Sequence, residues 1–185
     1  MVKDPVSPIL VREAQPEDDT RIGDLLVQAF VESYARKLPD VVVSEARKAD
    51  LRNIAPKRET GRVLVACPSH ADADKNGDGD HGKILGTVSV FRPGDPTTRA
   101  WAPGMADLRY LAIDPAHHKQ GLSTPLIQAA LDTARGWGAS SVGLHVRHEA
   151  LGVAEVYLRH GFKRVPEGDC DLLPEIYLDA FKYTL

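Results

Sequence analysis

The spacing of apolar residues changes period several times along this chain, and each change marks a new element. ILVREA (9–14) alternates apolar and polar positions, the two-residue period of a half-buried strand. Pro16, followed by Glu17, Asp18 and Asp19, then supplies a helix start whose acidic residues suit the positive end of the helix dipole. Ile22, Leu25, Leu26, Ala29 and Phe30 recur at i, i+3, i+4, i+7 and i+8, which predicts one apolar helical face that Pro39 brings to an end. SEARKADLRNIA (44–55) predicts a second helix with Ser44 as its N-cap. RVLVAC (62–67) and KILGTVSVF (83–91) are β-branched runs, read as two strands of a hairpin with a long polar tip.

FRPGDPTTRAWAPGMAD (91–107) has the Pro and Gly content of a loop, and DLRYLAID (107–114) that of a strand. After the loop AHHKQGLST comes a helix, with Thr124 as expected N-cap, Pro125 at the first helical position, and Leu126, Ile127, Ala130, Leu131 and Ala134 as its buried stripe. Gly136 and Gly138 end it. SVGLHVR (141–147) predicts a strand, ALGVAEVYLRHG (150–161) a helix with Gly161 at its C-terminal cap, and FKRV and EIYLDAFKYTL two closing strands. This order predicts a mixed α/β sheet covered by helices.

The polar tip contains DADKNGDGD (72–80), which opens like a calcium loop: Asp72, Asp74, Asn76 and Gly77 occupy ligand positions 1, 3 and 5 and the turn position. It joins two strands where that loop needs two helices, and Lys83 stands where the bidentate Glu belongs. The stretch reads instead as a flexible insertion at 68–82 within a single domain spanning 1–185, and no metal is expected.

A hydrophobic content of 43% with 26% charged residues is that of a folded globular chain. The net charge of −3 includes no basic stripe, which argues against a nucleic-acid partner. There is no apolar run long enough for a membrane helix, and MVKDPVSPILVREA has no signal-like apolar core, so a cytoplasmic protein without membrane contact is expected. Cys67 and Cys170 read as reduced structural thiols. No Cys/His or Ser/His elbow is present to supply a covalent nucleophile.

The chemistry concentrates between 107 and 135, where a strand, a polar loop and a helix follow in succession. A helix start directs unpaired N–H groups and partial positive charge outward, and Gly121 permits close backbone approach; His118 and Lys119 add donors. By these residues alone the loop is either an anion site or an ordinary strand-to-helix turn.

LAIDPAHHKQGLSTPLIQAAL resembles the coenzyme loop of the GNAT N-acetyltransferase superfamily, Q/R-x-x-G-x-G/A after a strand, and AEVYLRHGF (154–162) echoes the family's Leu-Tyr-Glu-Lys-Leu-Gly-Phe helix end. His118 stands where the family prefers Gln or Arg, and Ser123 where Gly or Ala is usual. The resemblance implies a mostly antiparallel central sheet of about seven strands, with a central parallel pair splayed at the coenzyme site and about four flanking helices. It also implies acetyl-CoA as co-substrate and direct transfer of its acetyl group to an amine acceptor, and it is compatible with a homodimer.

Carried over by position, the resemblance implies that the backbone of Leu111, Ala112 and Ile113 binds the pantetheine arm and that an N–H there polarises the thioester carbonyl. It assigns the pyrophosphate to His118, Lys119, Gln120, Gly121, Leu122, Ser123 and Thr124. Tyr157 matches the tyrosine that protonates the departing thiolate, although its spacing with Ala150, Leu151, Ala154 and Leu158 is also that of a core aromatic. Asp107 matches an acidic position that deprotonates the amine, with His145 beside it. Phe30, Tyr34 and Trp101 would frame the acceptor pocket, and Asp169, Asp171 and Glu175 would favour a cationic acceptor. The alternative to an enzyme is a non-catalytic acyl-CoA-binding sensor or structural protein.

Overall fold

Alternating side chains on the strands sort the apolar residues into two layers, one on each face of a single sheet. A computed structural model describes residues 8–37, 42–69, 83–174 and 176–185. Helices α1 (Asp19–Lys37), α2 (Glu45–Arg52) and α3 (Ala55–Thr60) come before most of the sheet, after the first strand β1 (Ile9–Glu13). The remaining strands are β2 (Gly61–Pro68), β3 (Gly86–Phe91), β4 (Met105–Ile113), β5 (Ser141–Arg147), β6 (Lys163–Arg164), β7 (Cys170–Leu172) and β8 (Ile176–Thr184). Two further helices, α4 (Ser123–Gly136) and α5 (Leu151–Arg159), flank β5 in sequence.

On β2, Val63, Val65 and Cys67 pack with Ile22, Leu25, Leu26, Leu51 and Ile54 of the first helices. Leu64 and Ala66, pointing the other way, pack with the α4 stripe of Leu126, Ile127, Ala130, Leu131 and Ala134, as its spacing predicts. Sheet order is β1-β2-β3-β4-β5-β8-β6, with β7 also on β8. All pairs are antiparallel except β4 with β5. The crossover from β4 through α4 to β5 therefore brings the start of α4 to the end of β4.

Two irregularities shape the middle of the sheet. Parallel pairing of β4 with β5 covers only Met105↔Ser141, Ala106↔Val142 and Asp107↔Gly143, after which the two strands part. Beyond that fork β5 keeps its antiparallel pairing with β8 as far as Arg147↔Leu178, while β4 keeps β3 alone. The second irregularity is a bulge: Ser89 faces Arg109 and Thr87 faces Ala112, so β4 carries one extra residue, with Tyr110 at φ 58. An extra residue reverses which face each later side chain meets. Ala106 and Leu108 lie in the α4 layer before the bulge, and Leu111 and Ile113 after it, leaving Tyr110 and Ala112 in the α1 layer.

Several expectations change. The helix predicted over 44–55 breaks at Asn53, whose ψ of 78 is not helical, and restarts as α3 with Pro56 in its first turn, giving five α-helices among the described residues where about four were expected. Segment 170–172, between the two predicted closing strands, pairs with β8 and gives eight strands among the described residues where about seven were expected. Helix α4 begins at Ser123 with Leu122 at the cap position, two residues earlier than a Thr124 cap with Pro125 as first helical residue would give. β2 and β3 pair as the predicted hairpin, and the greater part of its tip, including 72–80, lies outside the described residues. Among the described residues no helix is long and apolar enough to cross a membrane, and no group of three or more His, Cys, Asp or Glu is placed to hold a metal.

Candidate functional site

The loop between β4 and α4 begins with a 3-10 turn, Pro115–His117, capped by Asp114, whose carboxylate accepts from the Ala116 N–H at 3.0 Å. His118 folds back and donates from Nε2 to the Ile113 carbonyl at 3.2 Å. Lys119 and Gly121 then take positive φ, 64 and 76, which turns successive amides toward the same side. The backbone N–H groups of Lys119, Gln120, Gly121, Leu122 and Ser123 have no acceptor among the described residues. A concave row of free amides at a helix start is a receptor for phosphate oxygens. A Cβ built on Gly121 would meet nothing within 4 Å, so the space in front of the row is open.

Thr124 differs from its expected role. Its N–H is bonded to the Gly121 carbonyl at 3.1 Å and is not free for a ligand. Its hydroxyl pairs with His160 Nε2 at 3.0 Å, and His160 Nδ1 donates to the Val156 carbonyl at 2.7 Å. A carbonyl only accepts, so the proton sits on Nδ1 and Thr124 donates to Nε2. This link ties the start of α4 to the end of α5.

Tyr157 lies on α5 in the α4 layer, 7% exposed, with its ring edge-on to Phe162 at 5.7 Å between centroids. The core packing predicted from its spacing is therefore present. Its hydroxyl nonetheless has no hydrogen bond among the described residues. Burial alone pushes the phenol well above its ordinary pKa, so it stays protonated throughout the physiological range. A phenol that holds its proton more tightly than a thiol does not surrender it downhill. What this group can offer a developing thiolate is a hydrogen bond.

Asp107, expected as a strand-start carboxylate, is 1% exposed at the fork. Its Oδ2 accepts from Arg109 Nε at 2.7 Å and from the Arg99 N–H at 3.0 Å, leaving Oδ1 without a protein donor. Beyond Gly143 on β5, His145 donates from Nε2 to the Gly168 carbonyl at 2.8 Å, so Nδ1 carries a free lone pair. Burial lowers its pKa and leaves it neutral at pH 7. Trp101 stands edge-on to His145 at 5.2 Å and fills the slot between Gly143 and Gly168, where added Cβ atoms would lie 2.8 and 2.4 Å from its ring. It is a wedge under the site rather than an open wall.

The tertiary fold also places Cys170 Sγ 3.3 Å from His145 Nε2, a Cys/His contact that the sequence, with 25 residues between them, does not display. Burial raises the thiol and lowers the imidazole, so both are neutral and the pair is not an activated nucleophile.

Phe30 and Tyr34 are brought together as expected, 6.1 Å between centroids. Three residues that sequence reasoning missed join them. Arg47 lies 5.5 Å from the ring centres of both Phe30 and Tyr110, and Arg147 lies 5.9 Å from that of Tyr34. Only the bulge puts Tyr110 on this face, and nothing in the local pattern of β4 announces it. Asp169 does not face an acceptor: it binds Arg164 at 2.6 Å, Tyr177 Oη at 3.0 Å and the Ala180 N–H at 2.8 Å. Asp171 accepts from the Leu173 N–H at 3.2 Å, and Glu175 lies outside the described residues.

A forked mixed sheet with an amide-lined loop at the helix following its central strand is an architecture that can receive an anionic ligand. The chain belongs to the Acetyltransferase (GNAT) family, whose profile matches residues 29–162. It is 26% identical over 188 residues to GCN5-related N-acetyltransferase 4, chloroplastic, of Arabidopsis thaliana, covering 88% of this chain and 64% of that relative. The chain thus spans under two thirds of that protein's length. Among solved structures it is similar to a GNAT-family acetyltransferase of Staphylococcus aureus Mu50, with a TM-score of 0.68 at 15% identity over 96% of this chain and 99% of that one. It is also similar to the PaiA N-acetyltransferase of Thermoplasma acidophilum in complex with coenzyme A, with a TM-score of 0.64 at 15% identity over 95% and 99%. At these identities the structural likeness establishes the fold.

Proposed function

We propose that this protein is an N-acetyltransferase that transfers the acetyl group of acetyl-CoA directly to an amine. The observation that carries the reading is the fork between β4 and β5, with five unpaired amides, Lys119 to Ser123, next to the end of β4. Acetyl-CoA supplies an activated acetyl thioester. Backbone groups of Leu111, Ala112 and Ile113, on the side of β4 that β5 has left, accept and donate along the pantetheine arm as another strand would, and one N–H polarises the carbonyl. The amides of Lys119 to Ser123, with the side chain of Lys119, hold the pyrophosphate, while His118, expected to join them, spends its Nε2–H on the Ile113 carbonyl.

The attacking nitrogen must be unprotonated. His145 Nδ1, neutral and free, takes its proton, and the Asp107 carboxylate stabilises the imidazolium so formed. Asp107 is the poorer acceptor of the two because its Oδ2 is committed to Arg109 and Arg99. Tyr157 donates a hydrogen bond to the sulfur as the carbon–sulfur bond breaks.

The test is a thiol-detection assay of coenzyme A release over a panel of primary amines. Release that depends on both acetyl-CoA and one class of amine is the expected result. Tight acetyl-CoA binding with no release from any amine would make the protein a non-catalytic coenzyme binder.

A further inference from the structure

We infer that the amine acceptor carries a carboxylate, held by Arg147 beside the ring of Tyr34; this rests on the acceptor side of the fork being the α1 face. Alternation on β5 sets the geometry. Val142, Leu144 and Val146 belong to the α4 layer, so Gly143, His145 and Arg147 project to the opposite face, the face on which Trp101 meets His145 and Tyr34 meets Arg147.

The electrostatics of that face are lopsided. Asp107 is paired with Arg109, and Asp169 and Asp179 share Arg164, so each of the three already has a hydrogen-bonded cation. A cationic acceptor therefore finds no carboxylate at these positions that is not already paired with an arginine. Arg147, half-buried, has no anionic partner and no side-chain hydrogen bond among the described residues; its guanidinium lies over the Tyr34 ring, 5.9 Å from the centroid, a contact that uses none of its N–H donors. A partly desolvated guanidinium without a counter-ion is stabilised by an incoming carboxylate, which it meets with two parallel hydrogen bonds. His145 and Arg147 lie two residues apart on one strand, roughly 7 Å between their Cα atoms. A single small molecule with an amine at one end and a carboxylate at the other can reach both.

The experiment compares an amino acid, its amide and a diamine of similar length as acceptors, in wild type and in Arg147→Gln. The expected result is a kcat/KM for the amino acid about tenfold or more above that for the amide, collapsing to within about twofold in Arg147→Gln through loss of the amino-acid rate, with the KM for acetyl-CoA unchanged. Preference for the diamine or the amide, or a preference for the amino acid that survives Arg147→Gln, overturns the inference. If no amine turns over, the activity reading falls separately, and calorimetric titration of the protein–coenzyme A complex decides. Binding of the amino acid that is lost in Arg147→Gln sustains the carboxylate site, and absence of binding to wild type overturns it.

Discussion

Replacing Tyr157 by Phe separates the chemical role of this residue from its packing role, because the two predict opposite changes. The ring's contact with Phe162, 5.7 Å between centroids, survives the substitution, and only the hydroxyl is lost. That hydroxyl has no protein hydrogen bond and is not among the fully buried unpartnered atoms, so it keeps some contact with solvent and contributes little to the fold. Tyr157→Phe should leave stability unchanged or raise it by up to about 1 kcal/mol, a melting shift of roughly 0 to +4 °C for a chain of this size. Catalysis should move the other way. Losing one preorganised donor to transition-state charge typically costs about 10²–10³ in kcat, or roughly 2.7–4 kcal/mol in the barrier. The assay is single-turnover coenzyme A release at saturating acetyl-CoA and acceptor, which excludes product release from the measured rate, alongside a thermal melt. A rate within about twofold of wild type, or a large drop in melting temperature, refutes the reasoning and returns Tyr157 to the core.

Three further outcomes follow from other parts of the molecule. Gly121→Ala forces a side chain into φ 76 without any steric neighbour, so its cost is backbone strain alone, about 1–2 kcal/mol; the KM for acetyl-CoA should rise roughly 5- to 30-fold with kcat unchanged, and an unaltered KM would remove the loop from coenzyme binding. For His145 the neutral form is the active base and burial lowers its pKa, so wild-type kcat/KM should rise with pH through a value below the ordinary 6.5 and be flat at neutrality. His145→Gln should lose that acidic limb and plateau about 10²-fold lower; a limb that persists in the variant assigns it to another group. Asp18 is gripped by both Arg12 nitrogens, at 2.6 and 3.0 Å, and by the Gln15 N–H at 2.7 Å, with Arg12 the main cause of its lowered pKa. Its stabilisation is present above the unfolded value of 3.8 and lost as pH falls through the folded one; Asp18→Asn should cost about 1–2 kcal/mol at pH 7, after allowance for solvent screening, and should flatten the acid limb of a melting-temperature profile.

Much of this architecture was legible in the sequence because it follows from periods a few residues long. The α4 stripe from Leu126 to Ala134, the alternation of β2 and β5, and the glycines at 121, 138 and 161, all at positive φ, are local consequences of helix, strand and turn geometry. The amide-lined loop was equally readable, since strand, glycine and helix start are contiguous from 107 to 123. The departures lie where local rules compete or fall silent. Thr124 and Pro125 look like a cap and a first helical residue, yet the helix starts at Ser123 because the Thr124 hydroxyl finds His160 instead. Acidic residues near 170 look solvated and ready for a cation, yet Arg164 and Tyr177 consume Asp169.

By itself, then, the sequence determined the order of the elements, the two-layered sheet and the place of the amide-lined loop, each of which depends on neighbours within a turn or a strand. Tertiary structure decided what the α1 face of the fork presents. The bulge that turns Tyr110 toward Phe30 exists only as a mismatch of register between β3 and β4. Contacts such as His145 with Cys170, 25 residues on, or Arg147 with Tyr34, more than a hundred residues back, arise when β5, β7 and α1 meet around the fork. Charge follows the same division: residue types can be read from a sequence, but whether a carboxylate is free or already neutralised depends on which cation the fold brings within hydrogen-bonding reach.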